Sequence, residues 1–545
     1  MGMTGNAITI RTKEIAPPTS PDNSQPTITP VSHRHTATAI PIRPPMRRTC
    51  RRIEKMPPGN KSREGTEDTL SSYVANTSRG GHHRSTSFWV MIAIALWVAT
   101  FAGEHVPSLV PVRWPFFVAS GACLVLLMRG HLAVVALVGV VMVAGLSGGA
   151  SAWHDTAAPI VGPCDGIATL RSDPELFSAG TAVVLELHGR RYRVSAYGVA
   201  GRRLAMRLSG QSVSVSGTCG PLSGNFARID RVKHIVGRMN VEEVSENYAE
   251  GTHFIRAANR MRGVITEGAQ SMSRENRSLF LGLVIGDDRD QSKEMVQRFR
   301  ESGLSHLCAV SGQNVAFLLL LIRPLTSRRH RVVSWGITIG VIAWFVVVTR
   351  GEPSITRAAV MAGMVATYAL FGRHASSRIV LARTVTVLLL IDPMLAWSVG
   401  FALSVGATAG LAWLSARSTQ IFSSAHTIGS TFAAQVGTTP ISLAVFGTVP
   451  VVSLVANPLA IPVAGIVMTI GLPLAVLAAV FPVLADPVGA LLSLPVSWVD
   501  GVARISSAIA PSGWVHIALW ALVLIGVYGL WRRTLGPRLV THQVP

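Results

Sequence analysis

The chain is poor in charged residues. Of its 545 residues only 14% are Asp, Glu, Lys or Arg, 49% are hydrophobic, and the mean hydropathy is +0.41. Apolar runs of about 18 or more residues recur along most of the sequence, as is typical of membrane-spanning helices. This composition excludes an ordinary soluble enzyme. It predicts a polytopic α-helical membrane protein with about 10–12 spans.

Cysteines and nucleotide-binding motifs are also scarce. Five cysteines without a Cys-x-x-Cys pair are too few for a disulfide scaffold. No Gly-x-x-x-x-Gly-Lys-Ser/Thr phosphate-binding loop occurs, so any transport is expected to need an external motor. We expect no catalytic residue, no metal and no cofactor.

Positive charge is in large excess, with a formal net charge of +21. Such a surplus suits a polyanionic partner, either nucleic acid or an anionic membrane lipid surface. The basic inner loops of membrane proteins produce a similar surplus. The net charge therefore leaves these readings open.

The N-terminal segment differs from the rest of the chain. Residues 1–87 are rich in Pro, Ser, Thr, Arg and His and lack an apolar period, which predicts a disordered basic cytoplasmic tail without a signal peptide. Its basic cluster either contacts anionic lipid or nucleic acid, or only sets the orientation of the chain in the membrane. That cluster comprises Arg47, Arg48, Arg51, Arg52 and Lys55.

Charge and apolar runs together predict a topology. Apolar runs near 88–101, 115–128 and 132–146 predict about three transmembrane helices within residues 88–150. With the basic tail in the cytoplasm, three crossings place residues 151–250 outside the cell membrane. Further spans fill residues 251–535, and residues 536–545 form a short tail. We therefore expect a multi-pass protein of the cytoplasmic membrane.

Residues 151–250 have a β pattern. Two β-rich runs, 181–187 and 192–197, flank a His-Gly-Arg-Arg hairpin signal, and residues 211–216 alternate strictly. About five short strands predict an extracytoplasmic all-β, OB-like domain. Such barrels bind single strands through cations and aromatic rings. The expected DNA-binding residues are Arg190, Arg191, Tyr192, Arg193, Arg202 and Arg203; a purely structural brace is the alternative.

Two cysteines lie within the same exported segment. Cys164 precedes the first predicted strand and Cys219 follows the alternating strand. Because disulfides persist outside the cytoplasm, we predict a Cys164–Cys219 bridge, with two unpaired thiols as the alternative.

The segment after the β domain carries helix and charge signals. Phe254, Ala258, Met261 and Ile265 form one apolar stripe, which predicts an interfacial amphipathic helix with its arginines on other faces. A cluster of carboxylates follows at Asp287, Asp288 and Asp290. These either bind a hard cation or cap a helix that starts at residue 291, and the absence of a nearby His or Glu at ligand spacing favours the cap.

A polar interruption of an apolar segment, at residues 301–317, is the strongest functional signal. Lipid tolerates polar side chains and irregular backbone only where protein or a wet cavity surrounds them. Arg357 begins a later span after Pro353 and either lines a passage or snorkels to the interface. Gln435 and Asn457 are weaker candidates, because polar residues of this kind more often form hydrogen bonds between helices. The predicted channel-lining residues are Ser305, His306, Ser311, Gly312, Gln313, Asn314, Arg357, Gln435 and Asn457.

Several short motifs follow one another between residues 282 and about 465. The first two are Gly-Leu-Val-Ile-Gly-Asp at 282–287 and the run from Phe299 to Gly312 with Gly-Leu-Ser-His-Leu-Cys-Ala-Val-Ser-Gly. The later ones are Pro353-Ser354 with Arg357-Ala358-Ala359, Asp392-Pro393, Gly400-Phe401, Gln435 to Pro440, and Leu454-Val-Ala-Asn457. In sequence and in order these motifs resemble those of the ComEC family of competence DNA-uptake channel proteins.

The resemblance implies an inner-membrane channel that passes single-stranded DNA into the cytoplasm during natural transformation, without chemistry of its own. Expected partners are a DNA receptor, a separate nuclease, a cytoplasmic ATP-driven motor and further copies of the chain. The sequence departs from the family at Gln313-Asn314, where many members have Leu-His. It also lacks the His-x-His-x-Asp-His motif of the metallo-β-lactamase domain that many members carry. Rival functions are transport or scaffolding for another anionic substrate (a lipid or cell-wall precursor), or a membrane serine hydrolase using Ser311 and His306.

Overall fold

The computed structural model describes eight stretches of the chain. These are residues 86–106, 131–156, 161–177, 179–224, 227–308, 311–421, 426–511 and 513–535. The predicted tail 1–87, apart from its last two residues, the predicted span 115–128 and the tail 536–545 lie outside the described residues.

Two apolar helices precede the β domain. Helix α1 comprises Thr86–His105, with a 3-10 turn at its end, and α2 comprises His131–Asp155. They approach closely where glycines meet backbone: a Cβ on Gly149 would lie 2.2 Å from the carbonyl oxygen of Thr100. Small residues at such crossings allow apolar helices to pack without large side chains between them.

Six strands form the β domain. They are β1 Gly162–Leu170, β2 Glu175–Phe177, β3 Gly180–Leu187, β4 Arg190–Tyr197, β5 Ser212–Pro221 and β6 Ile235–Ala249. The strand order is β1-β5-β6-β4-β3-β2, and an additional β1–β3 pairing closes five of the strands into a ring. All pairings are antiparallel except β4–β6, which is parallel. We call this ring, with β2, the barrel.

The domain differs from the all-β prediction in two respects. Short helices α3 (Gly198–Ala205) and α4 (Ala227–Val232) connect the strands, and the sheet is mixed rather than antiparallel throughout. A parallel pair needs a long crossover connection, and α3 with β5 and α4 supplies it. Cys164 of β1 and Cys219 of β5 form a disulfide with a Cα–Cα distance of 5.8 Å.

The barrel is held to the helical part by side-chain pairs. Arg228 of α4 forms an ion pair with Glu104 at 2.7 Å. His234, before β6, lies 3.1 Å from Asp392. A larger ionic cluster makes a third connection and is described below.

Four short helices follow the barrel. They are α5 His253–Gly268, α6 Arg274–Ile285, α7 Lys293–Glu301 and α8 Ser305–Cys308. Helix α5 was predicted to lie at the interface with its arginines off the apolar stripe. The structure corrects this: Ala258 and Ile265 are buried, but Arg262 is buried with them, while Phe254 is exposed. Buried carboxylates opposite Arg262 explain the difference.

The remaining helices build the membrane domain. They are α9 Gly312–Thr326, α10 Arg331–Val348, α11 Pro353–Leu370, α12 Ser377–Ile391, α13 Val399–Ile421, α14 His426–Phe446, α15 Ser453–Ile466, α16 Leu472–Val480, α17 Ala485–Ala508 and α18 Gly513–Leu535. A π-helical turn, Val467–Gly471, joins α15 to α16. Helices α13 and α14 pack through glycines, since a Cβ on Gly437 would lie 2.1 Å from the carbonyl oxygen of Gly406.

Fewer described helices than the 10–12 predicted spans combine the length and the apolar composition of a full span. Among the described residues, five helical segments are long and apolar enough to cross a membrane: Thr86–His105, Ala133–Asp155, Arg331–Val348, Ser453–Val480 and Pro482–Ala508. Others are shorter apolar helices, such as Gly312–Thr326. A 15-residue helix is about 22 Å long, less than the roughly 30 Å hydrocarbon core. The architecture is a mostly helical, multi-pass membrane protein with an inserted mixed barrel.

Candidate functional site

The predicted polar interruption is a break between helices α7 and α9. Helix α7 ends at Glu301, and Gly303 then adopts a φ of +73°, a left-handed conformation that favours glycine. A Cβ on Gly303 would lie 2.6 Å from the Cβ of Ser453, so the turn packs directly against α15. In the one-turn helix α8 that follows, Ser305 and His306 are exposed and Leu307 is buried.

The start of α9 is fixed by a buried amide. Asn314 Nδ2 donates a hydrogen bond of 2.6 Å to the carbonyl oxygen of Leu283 in α6, and Asn314 is 8% exposed. Ser311 stands at the N-cap position, and its Oγ lies 3.4 Å from Asn314 Oδ1 rather than against a first-turn N–H. Gly312 and Gln313 are half-buried. Asn314 therefore positions the helix start.

A second amide holds α8 in place and was missed in the sequence analysis. Gln291 Nε2 donates to the carbonyl oxygen of Cys308 at 3.2 Å. A Cβ on Gly282 would lie 2.2 Å from Gln291 Nε2, so the first glycine of the Gly-Leu-Val-Ile-Gly-Asp motif makes room for this amide. That glycine was the feature of the sequence that could have indicated a close contact here.

Arg357 lies beside the break, in the first turns of α11. Its side chain is 6% exposed. Nη1 donates to Thr408 Oγ1 at 2.9 Å and lies 3.1 Å from Met361 Sδ. Nη2 lies 3.0 Å from the position that a Cβ on Gly312 would take. No carboxylate among the described residues pairs with this arginine.

Gln435 and Asn457 lie on helices α14 and α15. Ser453 Oγ donates to Gln435 Oε1 at 2.8 Å, which connects Gln435 to the residue that packs against Gly303. Asn457 is 9% exposed, and its Oδ1 accepts no hydrogen bond from any described residue. The structure thus brings the predicted residues together in two groups. Ser311, Gly312 and Asn314 lie with Arg357, whereas Gln435 lies with Ser453 and Gly303.

The three aspartates after α6 do not cap the following helix. Helix α7 begins at Lys293, and its cap is Ser292, whose Oγ accepts from Met295 N at 3.1 Å. Asp287 pairs with Arg289 at 2.6 Å and with Arg262 at 3.2 Å. Within the part of the chain that the structure describes, no group of three or more His, Cys, Asp or Glu side chains could hold a metal ion.

An ionic cluster that was not predicted from the sequence joins the barrel to the helices. Asp173, between β1 and β2, accepts from Arg350 at 2.9 and 3.2 Å and pairs with Arg262 at 3.3 Å. Burial would by itself raise the pKa of Asp173. The charges of Arg350 and Arg262 outweigh burial and hold the pKa below its ordinary value. We define the ionic cluster as Asp173, Arg262, Asp287, Arg289 and Arg350.

The predicted DNA-binding residues of the barrel have diverse environments. Tyr192 is fully buried in the barrel core, so its ring presents no face to a ligand in this structure. Three of the arginines form ion pairs: Arg191 with Glu186, Arg193 with Asp230, and Arg203 with Glu246. Arg190 and Arg202 are exposed. Four of the six predicted residues therefore serve the barrel's own structure at least in part.

Other aromatic residues are exposed on the barrel. Tyr197 is 51% exposed and packs edge-on against Phe177 with ring centroids 5.8 Å apart. Tyr248 is 45% exposed beneath the guanidinium of Arg207, 4.1 Å from its ring centroid. Phe177 and Tyr248 were missed because they lie outside the arginine-rich hairpin.

Comparison with known proteins identifies the helical part. The family model described as "Competence protein" matches residues 283–535. Over these residues, which are slightly less than half of the chain, the protein is similar to the competence-protein family. We call them the competence domain. This competence domain contains all nine predicted channel-lining residues, whereas the barrel at residues 162–249 precedes the matched region.

A curated protein that is similar to part of this chain is the "Uncharacterized protein YcaI" of Escherichia coli (strain K12). It is 29% identical over 279 residues, which is 45% of this chain and 36% of the relative. The chain thus spans about a third of the length of the relative that it matches. No solved structure matches the chain.

Proposed function

We propose that the protein is a channel component that passes single-stranded DNA across the cytoplasmic membrane during natural transformation. The family of residues 283–535 supports DNA uptake as the process. The observation that carries the proposal is Arg357, a buried cation without a carboxylate partner among the described residues, beside a helix break in the membrane domain. A buried charge of this kind is expensive unless a ligand uses it.

The proposed passage runs along the break between α7 and α9. Ser305, His306, Gly312 and Gln313 would contact the strand, since they are polar or small, the first two being exposed and the other two partly exposed. Asn314 and Gln435 would support the passage through their bonds to Leu283 and Ser453. Scattered donors with one cation suit a polyanion that must move, because tight binding would stop it.

The barrel is proposed as the extracytoplasmic receiving domain, an OB-type fold. Its five-strand ring, its parallel β4–β6 pair and helix α3 between β4 and β5 support this assignment. Exposed Tyr197 and Tyr248, with Arg190 and Arg202, provide the ring faces and cations that single-strand binding uses. The N-terminus would then lie in the cytoplasm.

Partner proteins would carry out the other steps of DNA uptake. A DNA receptor would deliver the strand, a separate nuclease would degrade its complement, and a cytoplasmic ATP-driven motor would pull it. Several copies of the chain would complete the pore.

Transport of another anionic substrate is the second candidate. An unpaired buried guanidinium fits the phosphate of a lipid or cell-wall precursor as well as that of DNA. Hydrolysis by Ser311 has less support, because its Oγ lies against Asn314 and no hydrogen bond joins it to His306 among the described residues. Activity-based serine labelling that occurs in wild type and is lost in Ser311→Ala would support the hydrolase function instead.

Uptake of fluorescently labelled DNA tests the proposal. Cytoplasmic fluorescence is compared in wild type, a deletion strain, and the deletion rescued by wild type, His306→Ala or Arg357→Ala. We expect deletion to leave DNA bound outside, wild type to restore entry, and the two variants to restore it poorly. Unchanged uptake in the deletion strain would refute the DNA assignment and favour the other anionic substrates.

A further inference from the structure

The N-terminus of helix α9 has no side-chain cap. Its N-cap residue Ser311 makes no hydrogen bond to a first-turn N–H. The first N–H groups of a helix have no partner within the helix, and they carry a partial positive charge. Asn314 N donates to the carbonyl oxygen of Ser311 at 3.0 Å, so the groups in question are the N–H groups of Gly312 and Gln313. Gly312, the first residue of this 15-residue helix, places no side chain between the helix start and Arg357.

Arg357 provides a second, independent observation at the same place. Arg357 as a residue is 94% buried, and its Nη1 is occupied by Thr408 and Met361, which are both neutral. Nε has no hydrogen-bond partner. Nη2 forms no hydrogen bond with a described residue and lies 3.0 Å from the Cβ position of Gly312. The edge of the guanidinium that lacks a hydrogen-bond partner among the described residues is therefore its Nε–Nη2 edge.

Other arginines of this chain use that edge for oxyanions. Arg171 donates from Nε and Nη2 to the two carboxylate oxygens of Glu186, each at 2.8 Å. Arg289 does the same to Asp287 at 2.7 and 2.6 Å. A planar fork of two N–H groups matches a carboxylate or a phosphate and adds geometric specificity to charge. Arg357 presents this fork with no oxyanion of the described protein to receive it.

We propose that Arg357 and the N-terminus of α9 form a binding site for one phosphate group. The Nε–Nη2 edge would hold two phosphate oxygens, and the first N–H groups of α9 would hold a third. A side chain at position 312 would fill the site, because its Cβ would lie 3.0 Å from Arg357 Nη2 and 3.3 Å from Ala358 Cβ.

The identity of the ligand rests on the proposed function, whereas the phosphate chemistry does not. In a DNA channel the ligand is a phosphodiester of the moving strand. A free phosphate or a lipid headgroup offers the same oxygens, so the test must distinguish these sources.

Binding is measured on the full-length protein in nanodiscs of zwitterionic lipid. The probes are inorganic phosphate, a short-chain phosphatidylglycerol, an oligothymidylate of twelve nucleotides, and the same oligomer with an uncharged methylphosphonate backbone. The variants are Arg357→Met, Arg357→Lys and Gly312→Ala. The matched control is Gly340→Ala on α10, where a Cβ would meet nothing within 4 Å.

We expect wild type to bind the phosphodiester oligomer at least about tenfold tighter than the methylphosphonate. Arg357→Met and Gly312→Ala should each weaken phosphodiester and phosphate binding by about tenfold or more, and the salt slope of oligomer binding should fall by about one in Arg357→Met. Arg357→Lys keeps the charge but loses the fork, and should lie between Arg357→Met and wild type. Gly340→Ala should bind as wild type does.

If Arg357→Met and Gly312→Ala bind phosphate and the oligomer as tightly as wild type does, the site is overturned. Arg357→Lys shows whether the folded protein tolerates a substitution at position 357. Preference for the lipid or free phosphate over the oligomer would retain the phosphate site and remove DNA as its ligand. DNA uptake, measured in parallel, separates the two proposals. Uptake that needs the protein but survives loss of phosphate binding would refute the role of this site while leaving the channel intact.

Discussion

Asp173 of the barrel accepts two hydrogen bonds from Arg350, at 2.9 and 3.2 Å, across the boundary with the helices. Arg262 lies between Asp173 and Asp287, at 3.3 and 3.2 Å, and so extends the contact to the loop after α6. The Gly-Asp-Asp-Arg-Asp loop of the competence domain and the barrel are therefore parts of one buried ionic cluster. We infer that this cluster fixes the barrel over the membrane domain.

Removal of the Asp173 charge should loosen the barrel. Asp173→Asn leaves Arg262 and Arg350 buried with one carboxylate fewer, and breaking a buried pair costs about 3–5 kcal/mol. Hydrogen exchange should increase in the β1–β2 loop and in α5. The control Glu186→Gln breaks pairs with more exposed arginines, which are worth about 0–1 kcal/mol. Equal exchange in the two variants would contradict a special role for the cluster.

The attachment should depend on pH in the acidic range. The pKa of Asp173 is lower in the folded protein than its ordinary value. Its contribution is therefore fully present above the ordinary aspartate pKa of about 4, and is lost as the pH falls through the lowered value. We expect the protection factor in the β1–β2 loop, which is the intrinsic exchange rate at each pH divided by the observed rate, to be constant from pH 7 to about pH 5 and to fall below about pH 4. A fall of the protection factor between pH 7 and pH 5 would contradict this assignment.

Reduction should destabilise the barrel and leave the membrane helices intact. The Cys164–Cys219 bridge closes a loop with a sequence separation of 55, and a loop of this length is worth about 4 kcal/mol on the chain-entropy estimate. The double variant Cys164→Ser/Cys219→Ser should lower the unfolding temperature of the barrel, followed by near-ultraviolet circular dichroism. The same unfolding temperature with and without reductant in wild type would contradict the prediction.

The turn at Gly303 should tolerate alanine poorly. Gly303 and Gly351 have similar positive φ values, +73° and +68°, so alanine at either costs about 1 kcal/mol of backbone strain. At Gly303 alone the new Cβ would also lie 2.6 Å from Ser453 Cβ, whereas at Gly351 it would meet nothing within 4 Å. Gly303→Ala should therefore lower the thermal stability more than Gly351→Ala and should reduce DNA uptake. If the two variants are equally stable, the α8 turn does not pack against α15 as described.

Patterns of short period predicted local structure well. The β-rich runs at 181–187 and 192–197 predicted two strands, and these runs lie within β3 and β4. The alternation of side chains along a strand contained the correction for Tyr192: it shares a face with Val194 and Ala196, and all three are buried. Reading the arginines and tyrosine as one surface ignored that period.

Pairings across long sequence separations could not be predicted. Arg262 lies beside Met261 of an apolar stripe, and a charged residue there is expected to be exposed. Its burial depends on Asp173 and Asp287, which lie 89 and 25 residues away in sequence. Arg357 was identified because a cation after proline at the head of an apolar run is rare. Its neighbour Thr408 and its open edge follow only from how α11, α13 and α9 pack.

Photo-crosslinking of the strand in transit tests the central claim most directly. A photoreactive p-benzoylphenylalanine replaces Gln313, next to the proposed phosphate site, or Ile517, which is 71% exposed on α18. During uptake of labelled DNA, we predict a crosslink to the incoming strand from position 313 and none from position 517. No crosslink from position 313 while uptake proceeds, or equal crosslinking from both positions, would contradict a DNA passage at the helix break.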